Sequence, residues 1–192
     1  CLAMFVDPAT GEPRVACGGG KEVHIYDPVA GGAALVVIKV GSTVNALAVF
    51  KDPATGELRL VCGCYKKVFI FDPVAGGEAL LVIEVGSRVD ALVLFADKTG
   101  APRLACGFYH KKVRVFDPVA GGEALVVINV GSQVNALAFF TDPATGEPRL
   151  ACGSGDGKVH VFDAVSGGDA LLFLDVGSRV FALVAFDDLA TG

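Results

Sequence analysis

Short apolar runs separated by polar, glycine-bearing turns recur along the chain with a fixed rhythm. ALAFF at 136–140 is apolar throughout and stops at the DPATGEP segment of 142–148, where Asp and Pro start a turn and Gly supplies a positive φ. RLACG at 149–153 follows, then a turn rich in glycine or lysine, then KVHVFD at 158–163, rich in β-branched and aromatic residues. A second turn, DAVSGGD, leads to ALLFLDV at 170–176, and Gly177 and Ser178 pass the chain to the next first run. Each such set predicts four short antiparallel strands. No helical period longer than a turn is present.

The set is repeated through the whole chain. FDPVAGGEALLVIEVGS at 71–87 returns as FDPVAGGEALVVINVGS at 116–132, as YDPVAGGAALVVIKVGS at 26–42 and, more loosely, as FDAVSGGDALLFLDVGS at 162–178. Aligned on these landmarks, the units are 1–46, 47–91, 92–136 and 137–182, followed by a stub, 183–192. The period is about 45 residues and predicts one repeat domain over 1–192. Runs such as LLVIEV are apolar at nearly every position, as in a sheet covered on both faces. One unit cannot hide such a sheet alone, so copies must stack on one another. Four strands per period, with no helix, fit a blade of an all-β β-propeller better than a helical solenoid or a parallel β-helix. The expected fold is therefore four antiparallel four-stranded blades plus one extra first strand.

The order of landmarks resembles that of the WD-repeat family over the full chain. Tyr26–Asp27, Phe71–Asp72, Phe116–Asp117 and Phe162–Asp163 stand where that family ends its third strand with Trp-Asp. The Gly-Ser pairs at 41, 86, 131 and 177 stand where it writes Gly-His. The chain departs from the family in having no Trp and in replacing that histidine by serine. Only Asp156 resembles the aspartate of the turn between the second and third strands, so the family's Trp-Ser-His-Asp network is not expected. The resemblance implies a propeller that holds partner proteins on the loops of one face.

Copies of the first strand stand at both ends, LAMF at 2–5 and LVAF at 183–186, although a ring of four blades needs only four. If the ring does not close within the chain, the outer faces of the first and last blades expose apolar surface. Self-association is then expected, for example two chains completing an eight-bladed ring, or the units belong to a longer propeller.

Composition narrows the function. With 53% hydrophobic residues and 13 Phe, the chain can build a sizeable core. A net charge of -5 offers no overall field for nucleic acid or an anionic membrane surface. The apolar runs are about six residues, against roughly 20 for a bilayer-spanning helix. Four of the six cysteines (Cys17, Cys62, Cys106 and Cys152) are one strand position copied once per unit, too far apart to bridge. They read as buried free thiols of a reducing, intracellular compartment, which points to the cytoplasm. Cys64 falls on an expected turn.

Catalytic chemistry finds little support. His24 and His160 share a third-strand position, occupied by Phe69 and Arg114 in the other copies, without further metal ligands at a recognisable spacing. Asp27, Asp72, Asp117 and Asp163 read as turn caps. CGSGDGKV lacks the spacing of a phosphate loop and the nine-residue period of a calcium repeat, and the serines of the Gly-Ser pairs have no histidine copied beside them. No cofactor is expected.

Differences among the copies are more informative. The DPATGEP and DPVAGGE turns barely change, whereas the turn between the second and third strands reads GGGKE, GCYKK, GFYHKK and GSGDGK. The blade-joining segment also varies, at Thr43, Arg88, Gln133 and Arg179 and at Asn45, Asp90, Asn135 and Phe181. Both variable segments emerge on one face of an antiparallel blade. There, Tyr65, Lys66 and Lys67 of one blade lie beside Phe108, Tyr109, His110, Lys111 and Lys112 of the next. Rings beside cations suit an acidic or phosphorylated peptide. The expected function is a non-enzymatic protein-binding scaffold, with Arg88, Asp90, Arg179 and Phe181 completing the rim. The alternative is an assembly repeat that self-associates and has no separate ligand.

Overall fold

The computed structural model describes residues 1–185, which contain strands and turns and no helix. Blade 1 is formed by β1 (Leu2–Val6), β2 (Pro13–Gly19), β3 (Glu22–Tyr26) and β4 (Val36–Lys39). Blade 2 has β5 (Ala46–Lys51), β6 (Leu58–Gly63), β7 (Tyr65–Asp72) and the first half of β8 (Gly76–Ala96). The second half of β8 opens blade 3, which continues with β9 (Pro102–Phe108), β10 (Lys112–Phe116) and β11 (Val126–Asn129). Blade 4 has β12 (Val134–Thr141), β13 (Pro148–Ser154), β14 (Lys158–Asp163) and β15 (Gly167–Asp175). Every strand pair is antiparallel, in the order expected from the repeats. Residues 183–185 of the expected extra first strand lie in no sheet, and its last residue, Phe186, falls outside the described residues.

Register is copied from blade to blade. Leu2 faces Cys17, Leu47 faces Cys62, Leu92 faces Cys106 and Leu137 faces Cys152 across the first two strands. β8 differs from its counterparts in running unbroken through Gly86 and Ser87 where the other blades turn. The cause lies in its partner. β7 begins two residues early, so Tyr65 pairs with Arg88 beyond the Lys67–Glu84 pair and carries the ladder across the joint.

Three apolar layers lie between four blades. The layer between blades 1 and 2 contains Phe5, Val23, Ile25 and Ile38 from one side and Leu60, Cys62, Cys64 and Phe71 from the other. Blades 2 and 3 meet through Ile70, Ile83, Leu104, Cys106 and Phe116, and blades 3 and 4 through Val115, Ile128, Leu150, Cys152 and Phe162. The first strands pack side by side as β1, β5, β8 and β12, and the series does not return from β12 to β1. The glycine after each cysteine marks the closest approach. A Cβ built on Gly107 would stand 2.6 Å from Val134, and one on Gly153 2.6 Å from Val180, so the joining valine occupies the space a side chain would take.

The unchanging turns have a structural cause. In the first, the aspartate carboxylate accepts the backbone N–H two residues on, as from Ala9 to Asp7 at 2.9 Å. In the second, Asp27 accepts from Val29 and Ala30, each at 2.8 Å. An arginine at the start of the second strand ties the two turns together: Arg14 to Asp7 and Asp27, Arg103 to Asp97 and Asp117, Arg149 to Asp142 and Asp163. The aspartates are turn caps, as expected from the sequence. The arginine that links them is a feature the sequence reading passed over.

Candidate functional site

The variable face is built from the turn between the second and third strands of each blade and from the segment joining it to the next blade. The two hydrogen-bond to each other, as from Val40 N–H to the Lys21 carbonyl and from Val130 N–H to the Lys111 carbonyl, both at 2.9 Å. In blades 2, 3 and 4 the residue after the Cys-Gly pair does not reach this face. Phe108, expected on the rim, is 2% exposed and packs between blades 2 and 3. Cys64, which lies between β6 and β7 where a turn was expected, is likewise buried between blades 1 and 2. The reason is alternation: β9 continues to Phe108, two residues beyond Cys106, so both side chains point to the same covered face. That period was readable in the sequence, and Ser154, two residues beyond Cys152, is buried in the same way.

What remains on the rim of blades 2 and 3 is a contiguous row. Tyr65 is 60% exposed and Tyr109 51% exposed. Arg88, the ladder partner of Tyr65, lays its guanidinium 5.1 Å from the centre of the Tyr109 ring. Lys66 sits 5.6 Å from the centre of the Tyr65 ring, and His110 meets Tyr109 edge-on at 5.6 Å. Lys111 and Lys112 are exposed beside them. Lys67 is drawn aside into a 2.8 Å ion pair with Glu84. Asp90 holds Arg88 through two contacts, 2.6 and 3.1 Å, and accepts from Gln133 at 3.4 Å, which makes it a support for the row. Arg179 and Phe181 are exposed but belong to the segment after blade 4, whereas the tyrosines lie on blades 2 and 3.

Backbone strain is concentrated in the same turns. Lys66 and Lys111 have φ of 67° and 64°, and they are the non-glycine residues in the left-handed region among those described. Blade 4 has Gly157 at the equivalent place. A lysine there costs energy that a glycine does not.

The two histidines part company. His24 pairs with Glu22 at 3.2 Å on a half-buried face. His160 is buried, bonds Asp156 at 3.1 Å and meets Phe173 edge-on at 5.1 Å. Ser154 Oγ donates to the other oxygen of the same carboxylate. Blade 4 thus forms a Ser-Asp-His network although no tryptophan is present, with its histidine coming from β14 and not from a Gly-His pair. Burial raises the Asp156 carboxyl, but donors from Ser154, His160 and the Lys158 backbone outweigh it and hold it below the usual carboxylate range. Serine and histidine both bond the aspartate and not each other, so the trio pins a hairpin and does not activate a nucleophile. Cys62, Cys106 and Cys152 are buried, and burial pushes their thiols well above the ordinary value. Cys64 is pushed up to about 11 by the same cause.

No protein-family model matches the chain, and no curated protein does. Solved structures match over nearly all of it. The computationally designed Ika8 protein is 25% identical, with a TM-score of 0.69 over 97% of this chain and 52% of its own. Sqt1 from Saccharomyces cerevisiae is 14% identical, with a TM-score of 0.76 over 98% and 52%. BBS1N, solved in complex with ARL6DN, is 16% identical, with a TM-score of 0.74 over 95% and 56%. The fold is that of a β-propeller. The chain spans about half the length of each of these propellers.

Proposed function

We propose that the chain is a non-enzymatic scaffold that captures an acidic or phosphorylated peptide on the rim of blades 2 and 3. The observation that carries this reading is the exposed row Tyr65, Arg88 and Tyr109, flanked by Lys66, Lys111 and Lys112, on a protein whose net charge is -5. Rings already stacked against cations lose little freedom on binding, and the free lysines pair with anions. Two lysines held at positive φ in these same turns support the reading, since such strain gathers at functional sites. A reducing intracellular compartment suits the free thiols.

The test is fluorescence anisotropy with a labelled phosphopeptide library, comparing the native chain with Tyr109→Ala and Arg88→Ala. Selected peptides are expected to bind each variant at least about tenfold more weakly, a loss of roughly 1.4 kcal/mol. Equal affinity in both variants, with the β-sheet circular dichroism retained, refutes the rim as the site.

A further inference from the structure

Among the described residues three apolar layers serve four blades, so two sheet faces have no neighbour. On blade 4, Leu174 is 50% exposed and Val176 55% exposed. Their equivalents Ile38, Ile83 and Ile128, and Val40, Val85 and Val130, are buried because another blade lies over each of them. On blade 1, Leu2 is 68% and Met4 65% exposed. Their equivalents Leu47 and Val49, Leu92 and Leu94, Leu137 and Phe139 all pack against the preceding blade. Identical register in the four blades means that the two bare faces are the two halves of one interface, which the molecule already builds three times within itself.

We infer that blade 4 of one copy docks on blade 1 of a second copy, and that two copies close one ring through two such joints related by a two-fold axis. The occupant follows from continuity. A joint that repeats the internal ones presents Leu174 and Val176 to an incoming Leu2 and Met4 as Ile38 and Val40 are presented to Leu47 and Val49. It continues the same rotation from blade to blade. Closure after two copies is supported by length, because one copy covers 52% of the designed propeller it resembles. The contact is head-to-tail at each joint, and the two-fold closure keeps it from growing into a filament. This inference is independent of the rim, since it uses the flat faces of the end blades.

Size-exclusion chromatography with light scattering on the 192-residue chain tests it. The expected mass is twice 19.7 kDa. A single-chain mass at micromolar concentration overturns the inference, and so does an open ladder of larger masses. Leu174→Asp and Met4→Asp each break both joints and are expected to yield single chains with unchanged β-sheet circular dichroism. Mixing the two variants restores one joint, because the first keeps an intact blade 1 face and the second an intact blade 4 face. A two-chain mass is therefore expected to return in the mixture as concentration is raised. If Met4→Asp leaves the pair intact while Leu174→Asp dissociates it, like faces have paired and the inference fails. Should either variant lose its β spectrum, Leu172→Lys and Leu2→Lys at neighbouring exposed positions give the same two arms.

Discussion

Single atoms decide how close two blades can come. The glycine of each Cys-Gly pair lies where the joining valine of the next blade lands, 2.7 Å from Val89 at Gly63 and 2.6 Å from Val134 at Gly107 when a Cβ is added. Neither valine has a free direction, because both are fully buried. Gly107→Ala is expected to destabilise the chain by about 1–3 kcal/mol through overpacking, read as a lower denaturation midpoint in urea with an unchanged slope. Lys111 presents the opposite case. Its φ of 64° is one that glycine adopts without cost. Lys111→Gly should therefore hold or raise the midpoint by up to about 1 kcal/mol. It should also weaken peptide capture on the rim. A variant that is more stable and still binds fully would show that the strain has no connection with binding.

At the scale of strands and turns, the aspartates set a pH limit. Asp27 and Asp142 are held low chiefly by backbone N–H donors, and Asp97 chiefly by the Thr99 hydroxyl. At Asp156 and Asp163 the donors overcome burial that acts the other way. Carboxyls depressed in the folded chain stabilise it above their unfolded value of about 3.9, and that contribution is lost as pH falls through the folded values. Thermal melts should accordingly be flat down to about pH 4.5 and drop steeply below about pH 4. A decline that begins near pH 6 would contradict this. Much of this scale was legible in the sequence. Turn letters such as DPATGEP fix local hydrogen bonds, and a period near 45 residues fixes strand order. Illegible were the long-range consequences: that β8 would run through its Gly-Ser joint because β7 starts early, and that Arg14, Arg103 and Arg149 would each clasp two turns. Phe108 was misplaced for a different reason. Its neighbours Tyr109 and His110 do belong to the turn, and the alternation that carries Phe108 inward ends one residue before them.

For the whole molecule, the arrangement of blades links the rim to the end faces. In a ring closed by a two-fold axis parallel to the blade-to-blade rotation axis, all turns between second and third strands point to the same side, so two rows of Tyr65, Arg88 and Tyr109 share one face. A pair of chains then offers two identical sites to any surface that displays several peptides, and rebinding at the second site slows release without any new contact. Leu174→Asp lies on blade 4, away from the row, and should leave the affinity for a peptide free in solution unchanged. On a densely coated sensor it should dissociate at least about tenfold faster than the native chain, and on a sparsely coated one the two should coincide. Equal dissociation at high density would mean that the two rims cannot engage one surface together. Weaker binding in solution would mean instead that pairing shapes the site itself, and the rim would have to be redrawn across the joint between copies.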